Sequence, residues 1–399
     1  SAVRYNEALP ELSWQDFVEF SNFLSSNGID HLNQETLQNI LEGSVATSKR
    51  AINGQYTTPT ELAKLLVRLT VKNWSDTILD CCCGTGTIPK EAIQIKKTQM
   101  TAKEAVETVW ACDKNNYPLQ VANISMTEPD TINIANRLFQ HNALTLSIGE
   151  KITITNPETG GNMILALPAF GAVVSNLPFV PFEIIPADDK DEISKMPFVD
   201  ILDGRSDLYC YIATKIADVI KPEGTLGIIV SNSWLGTNAG IKLMEALKQE
   251  YNIKQVHISG QGRWFKNADV VTTILVLEKK KNSNCVDTDF WLWQLSLEQL
   301  AENPDAENTL VNSALLSSEL DRSVSKLSKY SQSQIESILN LNVCYNALFH
   351  DVNWLIDIKD RIIPINKVYN VFRGSRRGWD ALFYPQRGEH RIEPQYLKK

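Results

Sequence analysis

A glycine-containing loop between a strand and a helix is the first candidate for chemistry in this sequence. Residues 80–87, DCCCGTGT, follow the apolar segment 77–80 and precede a helical pattern. Glycine at the carboxyl end of a parallel strand lets the backbone approach a ligand closely, and ligands of open α/β sheets bind at this edge. A G-x-G pair alone fits nucleotides, dinucleotides or S-adenosylmethionine, and a plain tight turn is the alternative. A phosphate loop is excluded because no Gly-Lys-Ser/Thr follows.

A second acidic residue ends the next apolar strand. Asp113 closes the segment 109–113, VWACD, and lies 33 residues after Asp80. A carboxylate at this place can accept hydrogen bonds from both hydroxyls of a ribose. The alternative interpretation is a turn or helix-capping aspartate, which is common at such ends.

The most specific candidate directly follows a third buried strand. Residues 175–179, SNLPF, combine an amide, a proline and an aromatic ring. The amino group of adenine is a poor nucleophile, because its lone pair is delocalised into the ring. The side-chain oxygen of Asn176 and a backbone carbonyl of the same turn can accept its two N–H bonds, while Phe179 can stack on an extruded base. Pro178 stiffens the turn. The alternative is a strand-end loop that makes an apolar contact.

An alternating framework of strands and helices positions these residues. Apolar strand-like runs occur at 77–80, 109–113, 171–175, 225–231, 253–258 and 270–277, and they alternate with helical patterns at 60–69, 207–220 and 239–250. Near-continuous apolar strands between helices indicate a mostly parallel sheet with helices on both faces. The sequence therefore predicts an α/β domain over residues 45–282.

The remaining segments complete the predicted organisation. We predict a helical N-terminal segment at 1–44 with helices at 13–26 and 33–43, a surface insertion or lid at 180–205, and a turn at 221–224. A helical or linker region follows at 283–360, with an edge strand at 290–293 and a helix over 313–341. A basic junction occupies 361–399.

The composition is that of a soluble globular protein. The 399 residues are 43% hydrophobic and 22% charged, and they contain no apolar run long enough for a membrane span. No signal peptide is visible at the N-terminus. The seven cysteines include three adjacent ones at 81–83, a spacing that suits neither a disulfide framework nor a metal site. We therefore expect buried thiols and a reducing, cytoplasmic setting.

The charge is distributed unevenly along the chain. The net charge of -8 argues against a protein that simply coats nucleic acid. Residues 361–399 nevertheless hold nine basic and three acidic residues, which leaves 30 basic and 44 acidic residues elsewhere. A basic tail on an acidic body is compatible with one DNA-facing surface, and a solvated tail is the equal alternative.

In their order and spacing the motifs resemble those of a known family, the gamma-class N6-adenine DNA methyltransferases of restriction-modification systems. That family includes type I modification subunits and fused type IIG enzymes. Its order is Gly-x-Tyr-Thr/Phe-Thr-Pro, then Asp-Pro-x-x-Gly-Thr/Ser-Gly, then Asn-Pro-Pro-Tyr/Phe. Here the counterparts are GQYTTP at 54–59, DCCCGTG at 80–86 and NLPF at 176–179, and 263–275 resembles the late hairpin motif. The resemblance covers residues 45–282 and implies a Rossmann-like, mostly parallel, seven-stranded methyltransferase sheet.

The resemblance implies S-adenosylmethionine as the cofactor and a set of residues that bind it: Tyr56, Thr57, Thr58, Asp80, Gly84, Gly86, Asp113 and Asn142. The residues of the first motif hold its methionine end, those of the glycine loop line the methionine and ribose, and Asp113 takes the ribose hydroxyls. Asn142 stands where the family usually has an aspartate, and its amide oxygen can still accept a bond from the adenine amino group, without charge. Cys81 replaces a proline of the loop.

The resemblance also implies the residues that act on the target base. Asn176 binds the amino group, Phe179 stacks on the base, and Phe265 packs against its edge. Leu177 replaces the first proline of the family tetrapeptide, next to Pro178. The family uses that position through its backbone carbonyl, which leucine also has, so the acceptor is kept with looser geometry.

The basic tail supports DNA as the substrate. Residues 371–380, 383–384 and 392–398 together resemble the junction that leads into a target-recognition domain in fused enzymes, and Arg373, Arg376 and Arg377 are then phosphate contacts. The implied partners are double-stranded DNA, with a specificity or restriction subunit or a further C-terminal recognition domain. The alternative is a disordered basic tail.

Three functions stay open at this point. The first is methyl transfer to adenine N6 of DNA by direct displacement, without a metal. The second keeps the chemistry but acts on RNA or on protein glutamine; the turn at 56–59 and the late hairpin favour DNA. The third is a cofactor-binding, non-catalytic subunit, which Leu177 alone suggests. A nuclease within the chain is not expected, because the first 50 residues lack an acidic-Glu-x-Lys cluster.

Overall fold

A large β-sheet unites most of the chain that the computed structural model describes. The described residues are Val18, Glu19, Asn22, 57–202, 204–265, 270–281 and 286–370. The helices predicted at 13–26 and 33–43 lie outside the described residues, except for Val18, Glu19 and Asn22, which are helical. Tyr56 and the tail from residue 371 also lie outside them.

The strands of the described residues are β1 (Ile78–Asp80), β2 (Val109–Asp113), β3 (Arg137–Gln140), β4 (Lys151–Thr155), β5 (Asn162–Ala166), β6 (Phe170–Asn176), β7 (Ile220–Ser231), β8 (Tyr251–Ser259), β9 (Thr272–Lys279), β10 (Thr288–Trp293) and β11 (Ser325–Tyr330). Nine of them make one sheet in the order β11-β10-β8-β9-β7-β6-β1-β2-β3. β4 and β5 form a separate antiparallel hairpin.

The α-helices of the described residues are α1 (Thr60–Thr70), α2 (Thr87–Lys97), α3 (Ala102–Glu107), α4 (Asn116–Met126), α5 (Ala187–Ser194), α6 (Leu208–Lys215), α7 (Asn238–Glu250), α8 (Leu297–Glu302), α9 (Pro304–Leu316), α10 (Gln332–Leu339) and α11 (Trp354–Ile358). Short 3-10 segments lie at Phe182–Ile184, Ile216–Val219, Asn232–Gly236, Tyr345–Phe349, Lys359–Arg361 and Ile365–Lys367. None of the helices in this part of the chain is long and apolar enough to cross a membrane.

The predicted α/β architecture is confirmed, with a larger sheet than expected. Strands β3, β2, β1, β6 and β7 run parallel to one another, and β9 is antiparallel to β7 and β8. Helices cover both sides of the sheet. The count of seven strands is wrong, because β10 adds in parallel to β8 and β11 pairs antiparallel with β10. Phe290, Trp291 and Trp293 of β10 are fully buried, so this strand needs cover on both faces and a neighbour on each side.

The region after residue 282 differs from its sequence-based prediction. The strand at 290–293 exists, but β11 rather than β10 lies at the edge of the sheet. The helix expected over 313–341 is interrupted, because α9 ends before Ser317, which has a left-handed conformation (φ 51°), and residues 325–330 form β11. The boundary proposed at 282 falls between two strands of the same sheet. The described residues up to Val352 form one compact unit, and those from Asn353 form a second.

The turn expected at 221–224 is an irregularity within β7. Ile220 pairs with Phe170, and Thr225 pairs with Ala172, so four residues of β7 bulge opposite one residue of β6. Pro222 has no N–H to donate to the ladder, and Glu223 adopts a positive φ of 65°. Both features are typical of a bulge, which bends the strand without ending it.

Candidate functional site

The carboxyl ends of three adjacent parallel strands meet at one edge of the sheet. β1 lies between β6 and β2, with Ile78 paired to Ala172 on one side and to Val109 on the other. The loops that follow these strands therefore start side by side, as the alternating pattern predicts. This edge brings together the loop after Asp80, the end of β2 and the segment that follows β6.

The glycine loop after β1 has two different glycines. Gly86 is the N-cap of α2 with φ 89°, and a Cβ there would come within 2.9 Å of the Cα and Cβ of Ala122 in α4. Close packing of α2 on α4 thus requires this glycine. Gly84 has φ 51°, and a Cβ built on it meets nothing within 4 Å. The loop therefore leaves open space at Gly84, where a ligand can approach the backbone.

Asp80 is a buried carboxyl group that is only half satisfied. Its Oδ1 accepts a hydrogen bond from Ser175 Oγ at 2.6 Å and one from the Cys82 N–H at 3.2 Å. Its Oδ2 is buried and accepts none from the described residues. Burial raises the pKa of Asp80 to about 7, although the bond from Ser175 lowers it. A cationic or donor group beside Oδ2 would stabilise the ionised form.

Asp113 ties the end of β2 to the glycine loop. Its Oδ2 accepts a bond from the Gly84 N–H at 3.1 Å, and its Oδ1 accepts one from the Asn115 N–H at 2.8 Å. The bond from Asn115 is typical of a turn aspartate, which was the alternative interpretation of Asp113. Asp113 therefore has a structural role whether or not it also binds a ligand. Burial raises the pKa of Asp113. Of the three adjacent thiols that the sequence predicts to be buried, Cys81 and Cys83 are buried and Cys82 is half-buried; the neighbouring Cys112 is buried as well.

The segment after β6 is held against the first motif. Asn176 Nδ2 donates to Thr58 Oγ1 at 3.0 Å. The Leu177 N–H donates to the Ile229 carbonyl at 3.2 Å, and the leucine side chain is 1% exposed. Leucine therefore extends the pairing of β6 with β7 by one bond that a proline at this position could not make.

The aromatic residues differ in accessibility. Phe179 is partly buried against the hydrophobic core, directly after the half-buried Pro178. Phe265 is fully inside that core next to Trp264, whose ring centroid lies 4.8 Å from that of Trp293. A role of Phe265 at the target base stays a proposal, and it would require the side chain to leave this packing.

Several predicted site residues lie outside the described part of the chain. Tyr56 precedes it, and Arg373, Arg376 and Arg377 follow it. Their roles stay predictions.

Sequence reasoning misses one residue that contacts a predicted site residue. Asn142 Nδ2 donates at 2.8 Å to Oδ1 of Asp189, which also forms an ion pair with Lys114 at 2.8 Å. Asp189 belongs to α5, within the insertion at 180–205. It lies 47 residues after Asn142, and its sequence surroundings show only an acidic run. No local signal could connect the two.

Comparisons with known proteins identify the family and the fold of the chain. One relative, the Type II methyltransferase M.BanIII of Aneurinibacillus aneurinilyticus, is 28% identical over 116 residues, which cover 29% of this chain and 19% of that protein. The chain thus matches about a fifth of the relative's length.

Two solved structures share the fold. The type IIG restriction endonuclease BpuSI has a TM-score of 0.57 at 15% identity, over 82% of this chain and 37% of that one. A type I restriction enzyme modification subunit from Vibrio vulnificus has a TM-score of 0.53 at 15% identity, over 76% and 62%. At such identities the likeness shows the fold alone. A sequence profile described as N-6 DNA Methylase matches residues 36–338, more than half of the chain. The chain therefore belongs to the N-6 DNA methylase family.

Proposed function

We propose that this chain transfers a methyl group from S-adenosylmethionine to N6 of adenine in DNA, within a restriction-modification system. The observation that carries the proposal is a set of hydrogen bonds that joins the motifs at one sheet edge. Thr58 binds Asn176, Ser175 binds Asp80, and Gly84 binds Asp113. Motifs that are far apart in the sequence thus form one connected site.

The residues of this edge fit the proposed cofactor. The buried Oδ2 of Asp80 suits a positively charged group, and the same loop leaves open space at Gly84 for a ligand. Asp113 keeps acceptor capacity for hydroxyl groups, because each carboxylate oxygen has two lone pairs. When bound, S-adenosylmethionine supplies a methyl group that is activated by its sulfonium centre.

The segment after β6 is proposed to act on the target base. The side-chain oxygen of Asn176 and the carbonyl of Leu177 accept the two N–H bonds of the amino group, which favours the tetrahedral nitrogen needed for attack. Phe179 stacks on the extruded base, since base-modifying enzymes must remove the base from the helix stack. The contribution of the protein is orientation and acceptors for the positive charge that develops on nitrogen.

The family and the relatives support DNA as the substrate. The names of the two similar structures describe a restriction endonuclease and a modification subunit, so a specificity or restriction subunit is the proposed protein partner. Methylation of RNA or of protein glutamine is the competing function, because it needs the same acceptors.

Asn176→Ala tests the proposed function. Purified protein with tritiated S-adenosylmethionine should label duplex DNA, and the substitution should reduce this transfer at least about 100-fold, since one of the two acceptors at the reacting atom is lost. The affinity for S-adenosylhomocysteine should change less than about twofold.

The matched control is Asn238→Ala, which removes an exposed amide at the start of α7 and should keep full transfer. Label that appears only in RNA or protein would overturn the DNA assignment. Undiminished turnover of Asn176→Ala would overturn the catalytic assignment.

A further inference from the structure

A charged side chain fastens the insertion at 180–205 to the body of the protein. Helix α5 of this insertion buries only Asp189 and Ile193. The Asp189 side chain is 4% exposed. Burial of a carboxylate is costly unless it is paired and hydrogen-bonded. The partners of Asp189 are therefore informative about the role of the insertion.

Those partners lie at the ends of β2 and β3, beside the proposed ribose site. Asp189 Oδ1 accepts from Lys114 Nζ and from Asn142 Nδ2, each at 2.8 Å. Lys114 directly follows Asp113, and the His141 N–H before Asn142 donates to the Asp113 carbonyl at 3.1 Å. The insertion thus reaches the part of the site where the adenine of the cofactor is proposed to bind.

The hydrogen bonds of Asn142 permit only one orientation of its amide. Oδ1 accepts from the Leu144 N–H at 3.1 Å, while Nδ2 donates to Asp189. A flipped amide would place two donors against each other at Leu144 and two acceptors against each other at Asp189. Because a carbonyl oxygen has two lone pairs, Oδ1 keeps one for a ligand donor.

The carboxylate also changes the electrostatics of the amide. A hydrogen bond to an ionised acceptor is strong and polarises the donor group, so Asp189 increases the electron density on Asn142 Oδ1. Lys114 compensates this charge only in part, because its side chain is 43% exposed and remains hydrated. The amide and the carboxylate together come close to the charged acceptor that a single aspartate would provide.

We propose that Asp189 is a positioning residue for recognition of the amino group of the cofactor's adenine. It fixes the amide of Asn142 and supplies, from the insertion, the negative charge that Asn142 lacks. This inference rests on the proposed function, since it concerns the same cofactor site. It makes the insertion a part of cofactor recognition.

The experiment compares two ligands by isothermal titration calorimetry. S-Adenosylhomocysteine carries the adenine amino group, and S-inosylhomocysteine carries an oxo group in its place. The wild-type chain should bind the adenine form at least about tenfold more tightly, because the oxo group cannot donate to Asn142. Asp189→Asn keeps the size of the side chain but removes its charge, and it should lower this preference to below about threefold.

A rescue variant separates positioning from folding. The double variant Asn142→Asp with Asp189→Asn returns the charge to residue 142 and should restore the preference to within about twofold of wild type. Lys114→Gln is the control, because it removes the ion pair but keeps the carboxylate. It should preserve the preference or increase it.

Two results would overturn the inference: an unchanged preference in Asp189→Asn, or a double variant without rescue. An unchanged preference in which Asp189→Asn and Lys114→Gln both weaken the two ligands by the same factor would show that Asp189 only docks the insertion. A wild-type chain that binds neither ligand would instead overturn the proposed function itself.

Discussion

The buried carboxyl group of Asp80 makes the folding stability of the chain depend on pH. Its pKa is about 7 in the folded chain against 3.8 for the ordinary side chain. Below pH 3.8 the carboxyl is protonated in both states and contributes nothing. As the pH rises from 3.8 to 7, the unfolded state ionises first, so folding stability falls by at most about 4 kcal/mol and then stays level.

Asp80→Asn should remove this dependence. We expect the free energy of unfolding of the variant, relative to wild type, to rise between pH 4 and pH 7, as measured by urea denaturation at a series of pH values. The exposed Asp188→Asn is the control, and its difference from wild type should stay constant. A constant difference for Asp80→Asn would contradict the raised pKa.

Leu177 raises the question whether a proline at this position, as in the family, would increase the stability and the methyl transfer of this chain. The structure predicts the opposite, because Leu177→Pro loses both the N–H bond to Ile229 and a fully buried side chain. We expect a loss of about 2–4 kcal/mol in the free energy of unfolding and no gain in methyl transfer.

Leu177→Met keeps the N–H and most of the volume, so it should cost less than about 1.5 kcal/mol. Urea denaturation and a tritium-transfer assay measure both effects. A stable proline variant whose turnover rises from near zero would favour the non-catalytic alternative.

Helices α1 and α9 are joined by an ion-pair cluster between distant parts of the sequence. Glu307 of α9, whose side chain is 8% exposed, pairs with Lys64 at 2.9 Å and with Arg68, both on α1. Arg68 also donates to Asn308 at 2.8 Å. This contact joins α9, which lies between β10 and β11 in the sequence, to α1, which follows the motif at 54–59.

Glu307→Gln should destabilise the chain by about 1–2 kcal/mol, since it leaves two partly exposed cations without their shared carboxylate. Faster amide exchange of α9 in hydrogen-exchange mass spectrometry would report the local loosening. Lys281→Gln breaks an exposed pair with Glu223, and it should change stability by less than about 0.5 kcal/mol. Equal effects of the two variants would contradict the role assigned to the cluster.

The basic segment at 361–399 in an otherwise acidic chain predicts that the affinity for DNA depends on salt concentration. If Arg373, Arg376 and Arg377 contact phosphates, each contact contributes about 0.9 to the slope of log affinity against log salt. Replacing all three with glutamine should therefore lower the slope by about 2–3 and weaken DNA binding at low salt.

Fluorescence anisotropy with a duplex at several salt concentrations measures this slope. Affinity for S-adenosylhomocysteine serves as the internal control and should not change. An unchanged slope would favour the solvated-tail interpretation.

The sequence by itself determined the framework and the motif positions. Strand ends at Asp80 and Asp113, and a third at Ser175 beside the observed end at Asn176, were predictable because apolar runs, glycine and helix-capping patterns are local properties of the chain. Parallel strands then require these ends to share one edge. The family membership follows from the same local motifs in their order.

Only the tertiary structure decided how the motifs are connected. The bonds of Ser175 to Asp80 and of Asn176 to Thr58 span 95 and 118 residues, and such contacts depend on packing rather than on local propensity. For the same reason β11 was not predicted, and the strand at 290–293 was expected at the edge of the sheet rather than inside it. The placement of Asp189 beside Asn142 likewise depends on the path of the insertion. The glycine loop, Asp80 and Asp113 could be predicted from the sequence, whereas the hydrogen bonds from distant side chains such as Ser175 required the fold.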